Sequence, residues 1–262
     1  MSQTSKQICG LVAATWLGLS ACAHADAISS EIDDPARAIT LSYEAGQIVT
    51  LASIVNRDGD EAAEARREYF QRVGPIADPL GLSRDGILAT RQTVTGSFQP
   101  GAFSFFSWPS AEAEGQLNSH EDWQDIKTLR PIAWEELRLY SVELSEDLDL
   151  TFSEDKAYSV AVAWINPEHP ESYETYLDAI EPALTEMGAR YVYKMRSPRF
   201  EQHATPGGDP GQVTFVEWQD PGDLDRFLAS PAFQAVYPTL QQGVTRFEVH
   251  LVAPVFPAQS PD

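Results

Sequence analysis

Thiols and positive charges are both scarce in this sequence of 262 residues. The two cysteines, Cys9 and Cys22, both lie near the start of the chain. Lysine and arginine together number 18 against 39 aspartates and glutamates, so the formal net charge is −21. Phosphate backbones and anionic lipid headgroups repel such a chain, and its composition therefore excludes nucleic acid and a charged lipid surface as expected partners.

Long apolar runs are missing except over residues 8–23, and that run is too short to span a bilayer comfortably. We predict a signal peptide over residues 1–21. Two cleavage sites compete, because LSAC at 19–22 resembles a bacterial lipobox whose Cys22 would be lipidated, whereas AHA at 23–25 suits ordinary signal peptidase. Cys9 leaves with the signal in either case, so no disulfide is expected within the fold.

The predicted location is the periplasmic side of a bacterial envelope. With Cys22 lipidated, the protein is an outer-membrane lipoprotein that touches the membrane only through its lipid anchor. With ordinary cleavage it is a soluble periplasmic protein. Removal of Lys6 with the signal changes the formal net charge from −21 to −22, so the exported body stays strongly acidic.

Motifs that bind metals or nucleotides are also missing. The histidines after the predicted signal are scattered, without HxH or HExxH spacing, and no CxxC occurs. No GxGxxG or GxxxxGK[ST] loop is present, and no serine has the glycine-flanked elbow of acyl-transfer enzymes. The sequence therefore predicts no metal site, no cofactor and no recognisable catalytic machinery.

One structural unit, by contrast, is present twice. The order strand, helix, strand, strand, helix, strand runs over residues 45–148 and again over 155–256. Matched residues recur at a spacing of 107 or 110: Tyr69, Pro75 and Gly81 with Tyr176, Pro182 and Gly188, then Asn56 and Trp108 with Asn166 and Trp218. We predict an α+β fold of two tandem ferredoxin-like units, with a linker at 22–44 and a tail at 257–262.

The run WQDPGDLDRFLASPAFQAVY, which begins at Trp218, resembles the dimeric α+β barrel superfamily, which includes the antibiotic-biosynthesis monooxygenase-like, NIPSNAP and EthD families. The second copy is most similar to a small uncharacterised bacterial family with Tyr and Pro in its first helix and SPAFQ in its second. The resemblance is good over residues 155–254 and poorer over 45–148, where SHEDWQ replaces SPAFQ. It implies that the two units form a pseudo-dimeric α+β barrel within one monomeric chain.

The resemblance also bears on haem. Haem-degrading members carry a Trp and a His where this chain has Phe227 and Tyr237 in the second copy, and Leu117 and Lys127 in the first. Haem oxygenation of that type is therefore disfavoured, and haem or tetrapyrrole binding is a third, weaker alternative in which Tyr237 would touch the bound ring.

Strand alternation in the second copy separates two faces of its sheet. The face predicted to meet the helices carries Tyr191, Tyr193, Met195, Val216, Trp218, Phe247, Val249 and Leu251. The opposite face collects Arg190, Lys194, Arg196, Glu217, Arg246, Glu248 and His250, and the equivalents of the last three in the first copy are Glu136, Arg138 and Tyr140. Many charges therefore share one face.

Three interpretations of these faces stay open. The charges neutralise one another across the join between the units or face water. Alternatively, they line a lumen for a small anionic or aromatic molecule, with Arg196 and Arg246 holding its acid group, His250 or Tyr140 exchanging protons, and Glu217 and Arg138 alongside. In the third, aromatic residues on the helix side surround a flat substrate, namely Tyr176, Tyr193, Trp218, Phe227 and Tyr237.

We therefore expect an exported envelope protein that binds a small anionic or aromatic ligand or serves as an accessory protein. The alternative is a cofactor-independent monooxygenase or isomerase acting on a small aromatic or acidic compound.

Overall fold

The structure is a computed structural model that describes residues 36–203 and 208–256. The predicted signal peptide, Cys22 and the tail at 257–262 lie outside the described residues. The strands are β1 (Ala38–Tyr43), β2 (Ile48–Asn56), β3 (Ser83–Thr95), β4 (Ala102–Trp108), β5 (Trp134–Glu143), β6 (Leu148–Ser153), β7 (Ala157–Ile165), β8 (Arg190–Arg196), β9 (Arg199–Gln202), β10 (Gln212–Trp218) and β11 (Val244–Pro254). The α-helices are α1 (Asp60–Ala77), α2 (Ala111–Asn118), α3 (Trp123–Lys127), α4 (Arg130–Ala133), α5 (Pro170–Glu186), α6 (Asp223–Leu228) and α7 (Pro231–Gly243). Within the described ranges, no helix is both long enough and apolar enough to cross a membrane.

Two repeats of a ferredoxin-like unit make up most of this chain. In the first repeat the antiparallel strands lie in the order β3-β4-β2-β5, and in the second they lie in the order β8-β10-β7-β11. One helix follows the first strand of each repeat, and a broken helical segment precedes the last strand. The predicted α+β fold with tandem ferredoxin-like repeats is confirmed.

The two repeats share one nine-stranded sheet, with β3 paired to β11 and β5 paired to β9 across the join. β8 and β9 stand at opposite ends of this strand order, yet they are consecutive in the chain and separated only by Ser197 and Pro198, of which Ser197 has a φ of 45°. The sheet must therefore curl until its ends meet. A closed barrel results, and it leaves no free edge between the repeats.

The lumen of this barrel is packed with apolar side chains from both repeats. Its buried members include Val49, Leu51, Phe103, Phe105, Val160, Val162, Met195, Val213 and Phe215. A separate two-stranded sheet of β1 and β6 adds Leu41, Leu150 and Phe152 to the same core. β1 lies in the segment predicted as a linker. The two-stranded sheet that it forms with β6 is absent from the predicted order of elements.

The outer face of each sheet is covered by the helices of its own repeat. In the second repeat, Val216, Trp218 and Val249 pack under α5 and α7, as their alternation predicts. Tyr193 and Met195 depart from the prediction, because they belong to the lumen core. The pairing of β10 with β8 shifts register between Phe215 and Val216, and such a bulge moves the side chains beyond it to the other face.

Candidate ligand-binding site

A cavity of about 410 Å³ lies between the sheet and the helices of the first repeat. Its apolar wall is rich in aromatic rings: Tyr69, Phe70, Phe106, Trp108, Trp123 and Trp134. Binding sites for small organic molecules are typically concave, apolar and about 300–1,000 Å³ in volume. The volume and the rings together suit a compact aromatic guest.

The rings are held in place by one another. Tyr69 on α1 meets Trp134, the first residue of β5, with ring centroids 5.0 Å apart and planes at 85°. Phe70, the next residue of α1, stands edge-on to the same indole at 6.1 Å. Edge-to-face contacts of this kind favour one arrangement of the rings, so this wall is preformed.

Arg130, on the short helix α4, is the charged residue buried in this wall and is 5% exposed. Its Nε and Nη2 donate to the hydroxyl of Tyr69 at 3.3 and 3.1 Å. Its guanidinium carbon lies 5.2 Å from the ring centroid of Trp123 and 5.7 Å from that of Tyr69. A buried cation is costly unless it is paired, and these contacts hold Arg130 beside the aromatic wall with a fixed direction.

The second repeat completes the cavity through β9. Arg199 of this strand donates to Glu114 on α2 at 2.5 Å. Glu201 accepts through Oε1 from Arg130 Nη1 and from Lys127 Nζ, both at 2.8 Å. Burial alone would raise the pKa of the Glu201 carboxyl, but the charges of Arg130 and Lys127 lower it. Glu201, which belongs to the second repeat, is therefore ionised and is bound by Lys127 and Arg130 of the first repeat.

The matching region of the second repeat is packed differently. At a spacing of 110, Leu240 stands where the first repeat has Arg130, and Phe233 stands where it has Trp123. Gly243, at the end of α7, allows a close approach to α5, because a Cβ there would lie 2.5 Å from the backbone nitrogen of Tyr173. In the second repeat, α5 and α7 therefore pack closely against each other, and the aromatic rings between them and the sheet are part of the hydrophobic core.

Three predicted site residues lie in or beside this packed region. Tyr176 is buried and stacks on Tyr173 with centroids 6.0 Å apart, and burial raises the pKa of its hydroxyl. Trp218 is buried and donates from Nε1 to Ser159 Oγ at 2.9 Å. Tyr237 is 41% exposed on α7. The first two lie in the helix-side core and the third at the surface.

The lumen brings together four other predicted residues, Arg138, Tyr140, Arg246 and His250, around Glu248. Arg138 Nη1 donates to Glu248 Oε2 at 2.7 Å, and Arg246 Nε donates to Glu248 Oε1 at 3.0 Å. His250 Nε2 lies 3.9 Å from Glu248 Oε2, while its Nδ1 lies 3.1 Å from Thr93 Oγ1. Glu248 thus faces three basic side chains, Arg138, Arg246 and His250, which is the arrangement expected for charges that pair across the join.

Two buried atoms of this cluster lack a hydrogen-bond partner among the described residues, namely Tyr140 Oη and His250 Nε2. Burial raises the pKa of Tyr140 to about 12, against the opposing effect of the Arg138 charge. The phenol therefore stays protonated at neutral pH. The Arg138 guanidinium lies 3.7 Å from the centroid of Phe98, so the cluster is closed by an aromatic ring.

Arg196 and Glu217 do not join this cluster. The Arg196 guanidinium pairs with Glu174 on α5, and its side chain is 57% exposed on the helix side of the sheet. Glu217 accepts from Arg190 at 2.8 and 2.9 Å, and lies opposite Tyr158 in the sheet. Arg246 lies opposite Trp164, six residues further along β7, which corresponds to roughly 20 Å.

The residues that form the first-repeat cavity were missed at the sequence level. Arg130, Trp123 and Glu201 lie on α4, α3 and β9, and none of them is among the predicted site residues. One signal was available, because the aligned repeats place an arginine opposite Leu240. A charged residue at the buried position of one repeat indicates that the two helix-side cores differ. Among the described residues, no group of three or more His, Cys, Asp or Glu is arranged to hold a metal ion.

Comparison with known proteins supports the fold. Residues 156–255 match the model of a family described as "Domain of unknown function (DUF1330)". An anthrone oxidase-like protein of known structure is similar at 14% identity and a TM-score of 0.52, over 83% of this chain and 94% of that one. At this identity the likeness shows a shared fold, and it spans both repeats.

Two further solved structures are similar over different shares of the chain. A candidate monooxygenase from Lactobacillus acidophilus matches at 10% identity and a TM-score of 0.35, over 80% of this chain and 94% of that one. A protein of unknown function from Rhodopseudomonas palustris matches at 21% identity and a TM-score of 0.34, over 39% and 84%. No protein with a curated function matches the chain.

Proposed function

We propose that this protein binds a flat aromatic molecule in the first-repeat cavity, and that it serves the cell envelope as a monomeric binding or accessory protein. The observation that carries the proposal is the preformed aromatic wall around a space of about 410 Å³, with the cation Arg130 buried in it. The packing of the matching rings in the second repeat supports a single site per chain.

The proposed mode of binding follows from the residues of the wall. Trp123 and Trp134 offer π surfaces on which a planar ring stacks or stands edge-on. Ser104 and Asn118 add uncharged polar groups to the lining, which suits a guest with one or two oxygen atoms. Phe70 is 44% exposed, and we place the entrance beside it.

The test compares equivalent aromatic residues of the two repeats by isothermal titration calorimetry with 2-naphthamide and anthrone. Trp123→Ala should weaken binding about tenfold, because one stacking surface is lost. Phe233→Ala, the matched change in the second repeat, should lower the melting temperature and leave the affinity unchanged. Equal losses of affinity in both variants, or no binding of either compound to the natural chain, would refute the proposed site.

A second candidate function is oxygenation of such a compound without a cofactor. The Arg130–Tyr69 contact favours it, because a cation in the wall would stabilise an enolate or phenolate formed from the guest. Oxidation of a ring methylene to a carbonyl by O₂ then places one oxygen atom in the product and releases the other in water. The fold shared with an anthrone oxidase-like protein supports the choice of anthrone as substrate for the test.

Oxygen consumption with anthrone checks this second candidate. We expect uptake in the natural chain and its loss in Arg130→Met, provided that 2-naphthamide still binds the variant. If the natural chain binds anthrone without consuming oxygen above the buffer rate, the protein is a binding protein.

A further inference from the structure

A small chamber of about 130 Å³ adjoins the main cavity. Its lining is Lys127, Arg130, Leu137, Glu201, Gln202 and His203. Arg130, Leu137 and Glu201 line the main cavity as well, so the two spaces share a wall. Arg130 and Glu201 can therefore be contacted by a guest in the aromatic cavity.

Two donors of the chamber, Lys127 and Arg130, converge on one point. Lys127 Nζ and Arg130 Nη1 both reach the same oxygen of Glu201, each at 2.8 Å. Two cations aimed at one carboxylate oxygen make a binding site for an anion, and here a side chain of the second repeat occupies it.

Glu201 and Arg130 differ greatly in their access to water. The side chain of Arg130 is 7% exposed, whereas that of Glu201 is 45% exposed. If a carboxylate from a ligand took the place of Glu201, Arg130 and Lys127 would keep a partner and no buried charge would be left alone. The released Glu201 would turn to solvent at little cost in desolvation.

We infer that Glu201 occupies the site of a ligand's acidic group, so that the natural ligand is an aromatic acid whose carboxylate binds Lys127 and Arg130 in exchange for Glu201. This inference rests on the proposed function, because the aromatic part of the ligand must lie in the main cavity. It makes Glu201 a determinant of specificity and an internal competitor.

His203 adds a further polar group to the chamber. Its Nε2 lies 3.2 Å from the carbonyl oxygen of Trp134, and its Nδ1 is buried without a hydrogen-bond partner among the described residues. Since a carbonyl can only accept, Nε2 carries the proton, and Nδ1 in the neutral ring is an acceptor. A ligand with a hydroxyl next to its carboxylate would supply the missing donor.

The opposing explanation is that Glu201 only joins the two repeats through its ion pairs with Lys127 and Arg130. Calorimetry with 2-naphthoate and its neutral analogue 2-naphthamide separates the two. Under exchange, Glu201→Gln should raise the affinity for 2-naphthoate about tenfold, because a competing charge within a few ångströms is removed. The affinity for 2-naphthamide should stay the same, which also reports that the variant is folded.

Two further variants locate the effect. Lys127→Met should lower the affinity for 2-naphthoate and spare 2-naphthamide. Glu114→Gln removes the same charge from the pair with Arg199 and should change binding of 2-naphthoate far less than Glu201→Gln.

The outcomes are distinct. If 2-naphthamide binds but Glu201→Gln leaves the affinity for 2-naphthoate unchanged or lower, Glu201 only joins the two repeats. The inference is then overturned, while the proposed aromatic site stands. An equal gain in Glu114→Gln would also overturn it, because the effect would then reflect overall charge. If neither compound binds the natural chain, the proposed function itself fails.

Discussion

Arg138 and Glu248 occupy equivalent positions of the two repeats, 110 residues apart, and they form an ion pair of 2.7 Å in the barrel lumen. Both side chains are 1% exposed. Arg246 and Glu136 extend the pair on either side, so charges of opposite sign alternate across the join. This arrangement agrees with the interpretation that the charges on this face neutralise one another.

Loss of one member of this pair should destabilise the protein strongly. Glu248→Gln leaves Arg138 buried with Glu136 as its remaining acidic partner, and we expect the free energy of unfolding to fall by about 3 kcal/mol. Urea denaturation followed by circular dichroism measures this change. In the matched control, Glu174→Gln removes an exposed partner of Arg196 and should cost no more than about 0.5 kcal/mol. Equal losses in the two variants would contradict the structural role of the buried pair.

Acid should weaken the same pair. Burial alone would raise the pKa of the Glu248 carboxyl, but His250, Arg138 and Arg246 outweigh burial and hold that pKa below its ordinary value of about 4.5. The unfolded chain then takes up the proton first as the pH falls, so the stabilisation is present above pH 4.5 and is lost towards the lower pKa of the folded chain. We expect the difference in unfolding free energy between the natural chain and Glu248→Gln to shrink over that window. A difference that stays constant from neutral to acid pH would show that folding does not lower the pKa of Glu248.

Two glycines in helices should respond to alanine in opposite ways. A Cβ on Gly243 would lie 2.5 Å from the backbone of α5, whereas a Cβ on Gly115 would have no packing neighbour among the described residues within 4 Å. Gly243→Ala should therefore push the helices apart and lower the melting temperature. Gly115→Ala, in the interior of α2, should raise stability by about 0.5–1 kcal/mol through a lower entropy of the unfolded chain. Thermal unfolding of both variants checks the pair, and a neutral Gly243→Ala would rule out the close helix contact.

Export remains a prediction that depends on residues 1–25. If Cys22 is lipidated, globomycin should cause the unprocessed precursor to accumulate in the producing bacterium. Cys22→Ser should abolish lipid attachment, because it removes the acceptor thiol, and radioactive palmitate labelling reports this loss. Normal processing in the presence of globomycin would favour cleavage after the AHA segment instead.

Much of the fold could be predicted because it depends on patterns that are local or repeated. Pro75 and Pro182 lie inside α1 and α5, and Gly81 and Gly188, predicted to match between the copies, both follow these helices with positive φ values of 85° and 70°. The closing strand β9 was not foreseen, because its four residues pair with a strand some sixty residues away in the chain and carry no pattern of their own.

The site was harder to predict, for two physical reasons. A β-bulge in β8, where no residue of β10 pairs with Val192, breaks the alternation on which the face assignments depended, so Tyr193 and Met195 were placed on the wrong face. A cavity is a space that packing leaves empty, and no residue pattern records it directly. The difference between Arg130 and Leu240 was visible, but its meaning required the contact with Tyr69.

Arg138 and Glu248 are equivalent positions with opposite charges, and such a pair requires two halves that differ in sequence. In a symmetric homodimer each position on the twofold axis meets its own copy, so arginine would face arginine and glutamate would face glutamate. Gene fusion removes that restriction and allows the halves to diverge into complementary partners. When the two halves are expressed separately, each should accordingly bind the other half more tightly than a second copy of itself. The backbone keeps the inherited twofold symmetry, while the side chains at the join are those of a heterodimer.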